Sequence, residues 1–105
     1  MHMTQEIVII QKRIQKIKNE LEKLGDMRPG SLSKQTQVRN NKTYTYWQIS
    51  YTHQMKSRTE YVRPELVKKT AKQIATFKKF KALTAKWVDL AIKLAKLNVT
   101  LFHKN

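Results

Sequence analysis

Lys72, Lys79, Lys86 and Lys93 recur every seven residues near the C-terminus, with Lys96 close to the same strip. On a helix they would span roughly 31 Å, at about 1.5 Å of rise per residue. Ammonium groups in a row are suited to holding a polyanion, whose phosphates they neutralise and whose counterions they release. A second set of cations, Lys56, Arg58 and Arg63, with Arg28, Lys34, Arg39 and Lys42 upstream, lies among Tyr44, Tyr46, Trp47, Tyr51 and Tyr61. Cations beside aromatic rings suit phosphate contact and the stacking of unpaired bases, and a two-stranded ribbon can enter a major groove. Trp47, Ile49 and Tyr51 also read as core against a helix, which leaves the Arg and Lys side chains as contact residues. Backbone phosphate contact is then expected rather than base reading.

Catalysis finds little to work with. His53 and His103 stand apart, the acids are few and scattered, and neither a Gly-rich phosphate loop nor a metal-ligand spacing occurs. His53 reads as a turn residue. Without cysteine there is no disulfide framework, thiolate metal site or cysteine nucleophile. The sequence therefore predicts a non-enzymatic protein with no metal and no cofactor.

A net charge of +15 and a pI near 10.3 exceed what solubility requires. Such an excess concentrates polyanions, so nucleic acid, DNA or RNA, is the expected partner. A lysine-biased composition that merely solvates the surface is the plainer alternative. With 105 residues and 40% hydrophobic content, the chain suits one domain, residues 1–105. No run approaches the roughly 20 apolar residues that cross a bilayer, and no signal-peptide pattern opens the chain. A cytoplasmic protein that does not bind membranes is the default expectation. Met1, His2 and Met3 could include residues foreign to the native chain, so nothing rests on His2.

Several elements must position these side chains. Ile7, Ile10, Ile14, Ile17, Leu21 and Leu24 alternate spacings of three and four, an a/d seam that predicts a helix over 4–24. Thr4 can cap its start, Glu6 suits its first turn, Lys23 suits its last, and Gly25 can stop it. Residues 25–35, with Pro29, Gly30 and Ser31, read as a loop. A β-ribbon follows over 36–62, with strands at Thr43 to Tyr51 and Ser57 to Val62, a possible turn at Asn40 and Asn41, and a turn from His53 to Lys56. Within the second strand, Lys56, Arg58 and Glu60 should share one face. Pro64 and Glu65 open a long helix over 64–102, whose apolar phase slips near Phe77 and so predicts a local kink.

The long helix carries two stripes. Phe80, Leu83, Trp87, Leu90, Leu94, Leu97 and Leu101 form one seam, and Ala85, Val88, Ile92, Ala95, Val99 and Phe102 form another on roughly the opposite side. A helix apolar on two sides needs two packing partners, more than one short helix and one ribbon supply. A homo-oligomer interface at Val88, Ile92, Val99 and Phe102 is expected, unless these are simply tolerated surface residues. The fold class is α+β, mostly α: an N-terminal helix, a small antiparallel β-hairpin and a long C-terminal helix in a helical-hairpin, coiled-coil packing. In such a pairing Glu6 and Glu20 could face the ladder lysines, although two glutamates cannot neutralise four lysines.

Arg28-Pro-Gly-Ser-Leu-Ser-Lys34, the stretch from Ser50-Tyr-Thr-His53 through Lys56-Ser-Arg-Thr-Glu-Tyr-Val-Arg-Pro-Glu-Leu66, and Phe77 through Trp87-Val-Asp-Leu90 carry a resemblance. From about Met27 to Leu97 the chain resembles a family of small basic bacterial proteins, a domain of unknown function often found near transposase-like or other mobile-element genes. Members carry several cysteines and a His-Gly-Pro segment between the first two stretches, where a metal-binding knuckle is plausible. Here Gln35 to Tyr46 is short and cysteine-free, so a metal role does not carry over. The resemblance implies no activity, but it is consistent with a nucleic-acid role tied to mobile DNA. The expectation is thus a small basic oligomeric nucleic-acid-binding protein, a mobile-element or phage accessory. The alternative is an interaction module that docks an acidic protein partner through the second apolar seam.

Overall fold

A computed structural model describes residues 3–104; Met1, His2 and Asn105, which the expected domain 1–105 includes, lie outside the described residues. The element order is α1 (Met3–Glu22), β1 (Ser31–Arg39), β2 (Lys42–His53), β3 (Lys56–Val62), a 3-10 turn (Pro64–Leu66) and α2 (Val67–Lys104). The architecture is α+β and mostly α, as the sequence predicts. Two compact units arise, one from residues through Leu24 together with those from Lys79 onward, the other from Gly25–Lys78.

In the first unit, Ile7, Ile10, Ile14 and Ile17 are all buried on α1, and Leu83 is buried on α2. Phe80, Trp87, Leu90, Leu94, Leu97 and Leu101 are half-buried along the same seam. Each isoleucine taken out of water contributes about 1.5–3 kcal/mol, so the α1 stripe is a large share of this unit's stability. The Lys18 ammonium lies 5.2 Å from the ring centroid of Trp87, a cation–π contact that joins the two helices. Helix α1 ends at Glu22, two residues before the predicted stop. Lys23 and Leu24 donate to the carbonyls of Glu20 and Leu21 at 3.2 Å, a tightened last turn that satisfies orphan carbonyls without a left-handed glycine. Gly25 has no positive φ and so does not act as the expected cap. Thr4 is already inside the helix rather than capping it, and Lys23 follows the last turn.

The second unit corrects the predicted ribbon. Residues 25–35 are not all loop: Ser31–Arg39 is a strand, and the sheet is three-stranded and antiparallel in the order β1-β2-β3. Its register runs from Ser31 opposite Ser50 to Arg39 opposite Lys42, and from Trp47 opposite Val62 to His53 opposite Lys56. Both hairpins close through two-residue turns with positive φ at both positions, Asn40 (51°) with Asn41 (63°) and Gln54 (51°) with Met55 (63°). That geometry matches the right-handed twist of the flanking strands. His53 therefore ends β2, and the turn is one residue narrower on each side than the sequence suggests.

One sheet face packs on the start of α2. Ile49, fully buried, meets Val62 and Ile74, with Leu32, Trp47 and Val67 packed around them. Gly30 makes this possible: with φ of 142°, a Cβ there would lie 2.7 Å from Cδ1 and Cγ1 of Ile49. The Arg28 amide donates to the Gln73 carbonyl at 3.2 Å and ties the segment before β1 to α2. Pro64 opens the 3-10 turn that leads into α2, which then runs without interruption through Phe77.

Candidate nucleic-acid interface

In the first unit, Lys79, Lys86 and Lys93 are exposed along α2, about 10.5 Å apart at 1.5 Å per residue. Lys72, in the other unit's part of the helix, is exposed as well. No acidic side chain among the described residues reaches any of the four within ion-pairing distance. Glu20 and Lys86 do line a common groove, with Arg13, Lys16, Ile17, Leu83, Asp89 and Leu90, yet they form no ion pair. Glu6 forms none either, so the expected glutamate partners leave the ladder uncompensated.

The cations of the second unit separate into two groups, because directly paired residues in an antiparallel sheet share a face. Lys34, Lys56 and Arg58 have the parity of Trp47, Ile49 and Tyr51, the face that holds the core. Lys56, Arg58 and Glu60 share that face as predicted. Arg39 and Lys42 have the parity of Tyr44, Tyr46 and Tyr61, on the opposite face. The mixture of Lys56, Arg58 and Arg63 with all five aromatics is therefore corrected: no single face holds it.

Tyr51 is not a member of the apolar core, another departure from the sequence reading. Its hydroxyl donates to a carboxylate oxygen of Glu60, and the Arg28 guanidinium lies 5.2 Å from its ring centroid. Arg28 Nη2 is 3.8 Å from Oε1 of Glu60. Hydrogen bonding to Glu60, with burial and that carboxylate's charge assisting, raises the Tyr51 phenol above its ordinary pKa of 10.0. Arg28 is thus engaged inside its own unit, beside Tyr51 and Glu60, and its Nε is buried with no hydrogen-bond partner.

Sequence reasoning did not separate out the tyrosine face. The signal was there: taking Asn40 and Asn41 as a two-residue turn pairs Arg39 with Lys42 and fixes the parity of every residue behind them. At that tip, turning the Gln37 amide over lets its oxygen accept from Nε and Nη2 of Arg39 at 3.1 Å. Gln37, Arg39, Asn40 and Tyr44 line a shallow cleft.

The residues expected at an oligomer interface are exposed in the chain: Val88 by 56%, Ile92 by 50%, Val99 by 57% and Phe102 by 77%. No helix among the described residues is long and apolar enough to cross a membrane. No family model matches the chain, and no curated protein or solved structure matches it either.

Proposed function

We propose that this chain is a non-enzymatic nucleic-acid-binding protein, with phosphates as its principal contacts. The observation that carries the reading is the row Lys79, Lys86 and Lys93 within the first unit, exposed and without acidic partners among the described residues. A solvated surface explains why lysines lie there. It does not explain why Asp89 is the one acid along α2, nor a net charge of +15. Concentrated, unpaired positive charge gains most from a partner whose condensed counterions it can displace. The resemblance to mobile-element-associated proteins fits a role on DNA. A mobility-shift series with duplex and single-stranded DNA and RNA at low salt should give retarded complexes with at least one of them. No shift with any would remove the reading.

The exposed second stripe supports self-association as part of the same reading, with a second copy covering Val88, Ile92, Val99 and Phe102. Light scattering after size exclusion should show a dimer or larger species, which Ile92→Glu disperses. A monomer at all concentrations would instead favour an acidic protein partner on that stripe.

A further inference from the structure

The solvated face of the three-stranded sheet is unlike an ordinary polar exterior. Three tyrosines share it, and Tyr44 and Tyr61 are exposed by 50% and 63%. The remaining members are Ser31, Ser33, Gln35, Gln37, Gln48, Ser50, Thr52, Ser57 and Thr59, with Arg39 and Lys42 at the hairpin end. Not one is acidic: the sheet's only carboxylate, Glu60, belongs to the opposite face. Arg63, extended at φ −62° and ψ 140°, continues the alternation past Val62. The β2–β3 ladder ends at Trp47 opposite Val62, and Arg63 follows directly.

The spacing of the rings matters more than their number. Tyr44 and Tyr46 are next but one on a strand, about 6.8 Å apart at 3.4 Å per residue. Tyr61 is the diagonal cross-strand neighbour of Tyr46, about 7–8 Å away. Stacked bases of one strand repeat at about 3.4 Å, so a ring inserted between successive bases opens the repeat to about twice that value. The tyrosine positions form a short diagonal with that doubled repeat, flanked by Arg39 and Lys42 at one end, with Arg63 two residues beyond Tyr61. Duplex bases are stacked on one another and offer no free faces, whereas an unpaired strand does.

We infer that this face binds single-stranded nucleic acid, with bases stacking on Tyr44, Tyr46 and Tyr61 and phosphates held by Arg39, Lys42 and Arg63. The inference rests on the nucleic-acid reading above and adds a strand form and a site separate from the lysine ladder. Gln48, opposite Tyr61 and next but one to Tyr46, and Gln35, opposite Tyr46 on β1, offer amides to base edges, although Gln35 already donates to Ser33 Oγ at 3.0 Å.

The test is fluorescence anisotropy on the full chain, with labelled oligo-dT, oligo-U and a duplex as probes. Tyr44→Ala and Tyr61→Ala should each weaken single-strand binding by about 5- to 100-fold, the range expected when one base–aromatic stack is removed. Tyr44→Phe and Tyr61→Phe should retain it, and duplex affinity should not move. Loss on the DNA strand, the RNA strand or both supports the site. Unchanged single-strand affinity in the double alanine variant would overturn the sheet assignment while leaving nucleic-acid binding intact. Equal weakening on duplex would overturn the single-strand preference. Failure of the unaltered chain to bind any probe would remove both.

Discussion

Gly30 and Ile49 form the tightest constraint in the sheet unit. Ile49 has no exposed surface into which it can retreat, and a methyl group at position 30 would enter its side chain at 2.7 Å in a backbone region that L-residues rarely adopt. Gly30→Ala should therefore destabilise the chain by about 1–3 kcal/mol, as overpacking of a filled core does; urea denaturation measures it. Tyr51 makes a prediction in pH. A phenol whose folded pKa is raised is most stabilising below its unfolded value, and that stabilisation is lost as pH rises through the folded value. In an absorbance titration of phenolate Tyr51 should titrate above the ordinary phenol value of 10.0, and Glu60→Gln should move its midpoint back towards 10.0. These interactions were not legible beforehand. Arg28 and Tyr51 read as phosphate-binding and core residues, and only the β2–β3 register brings Glu60 to the side of both.

Helices announce themselves in this chain because their burial is periodic over many residues. Ile7 to Ile17 on α1 and Phe80 to Leu101 on α2 lie where three-and-four spacing places them. Strand β1 was missed for a physical reason. It is an edge strand whose apolar contribution to the core is Leu32, and Ser-Lys-Gln-Thr-Gln carries no β-branched or aromatic run. Pairing with β2, rather than its own propensity, makes it a strand. The β2–β3 turn shows the reverse tension, since Gln54 and Met55 both adopt left-handed backbone that neither favours, and Met55 is 98% exposed. Replacing the pair by Asn-Gly should stabilise the sheet by about 1 kcal/mol, because the turn type demands positive φ at both positions. Thermal or urea unfolding reads this out, and a loss of stability would contradict the turn assignment.

For the whole molecule, charge and apolar surface act in opposite directions. Copies carrying +15 repel one another at low ionic strength, while the stripe from Val88 to Phe102 favours their association. Self-association should therefore tighten as salt rises and screens that repulsion. Nucleic-acid binding should weaken over the same range. Sedimentation velocity at low and high salt tests the first half of this contrast. The two apolar seams and the ladder were legible from sequence because helical spacing alone generates them. The division of the sheet cations between two faces hangs on the Asn40–Asn41 turn alone, because one residue of slip there moves every side chain to the other face.

The most direct test of polyanion binding is the slope of log K against log salt for the nucleic acid that binds, measured for the unaltered chain and for Lys79→Ala/Lys86→Ala/Lys93→Ala. Alanine keeps the helix and removes three charges, so the slope should become shallower by about 2–3, close to one for each phosphate no longer neutralised. An identical slope in the two proteins would contradict a role for the lysine ladder in binding.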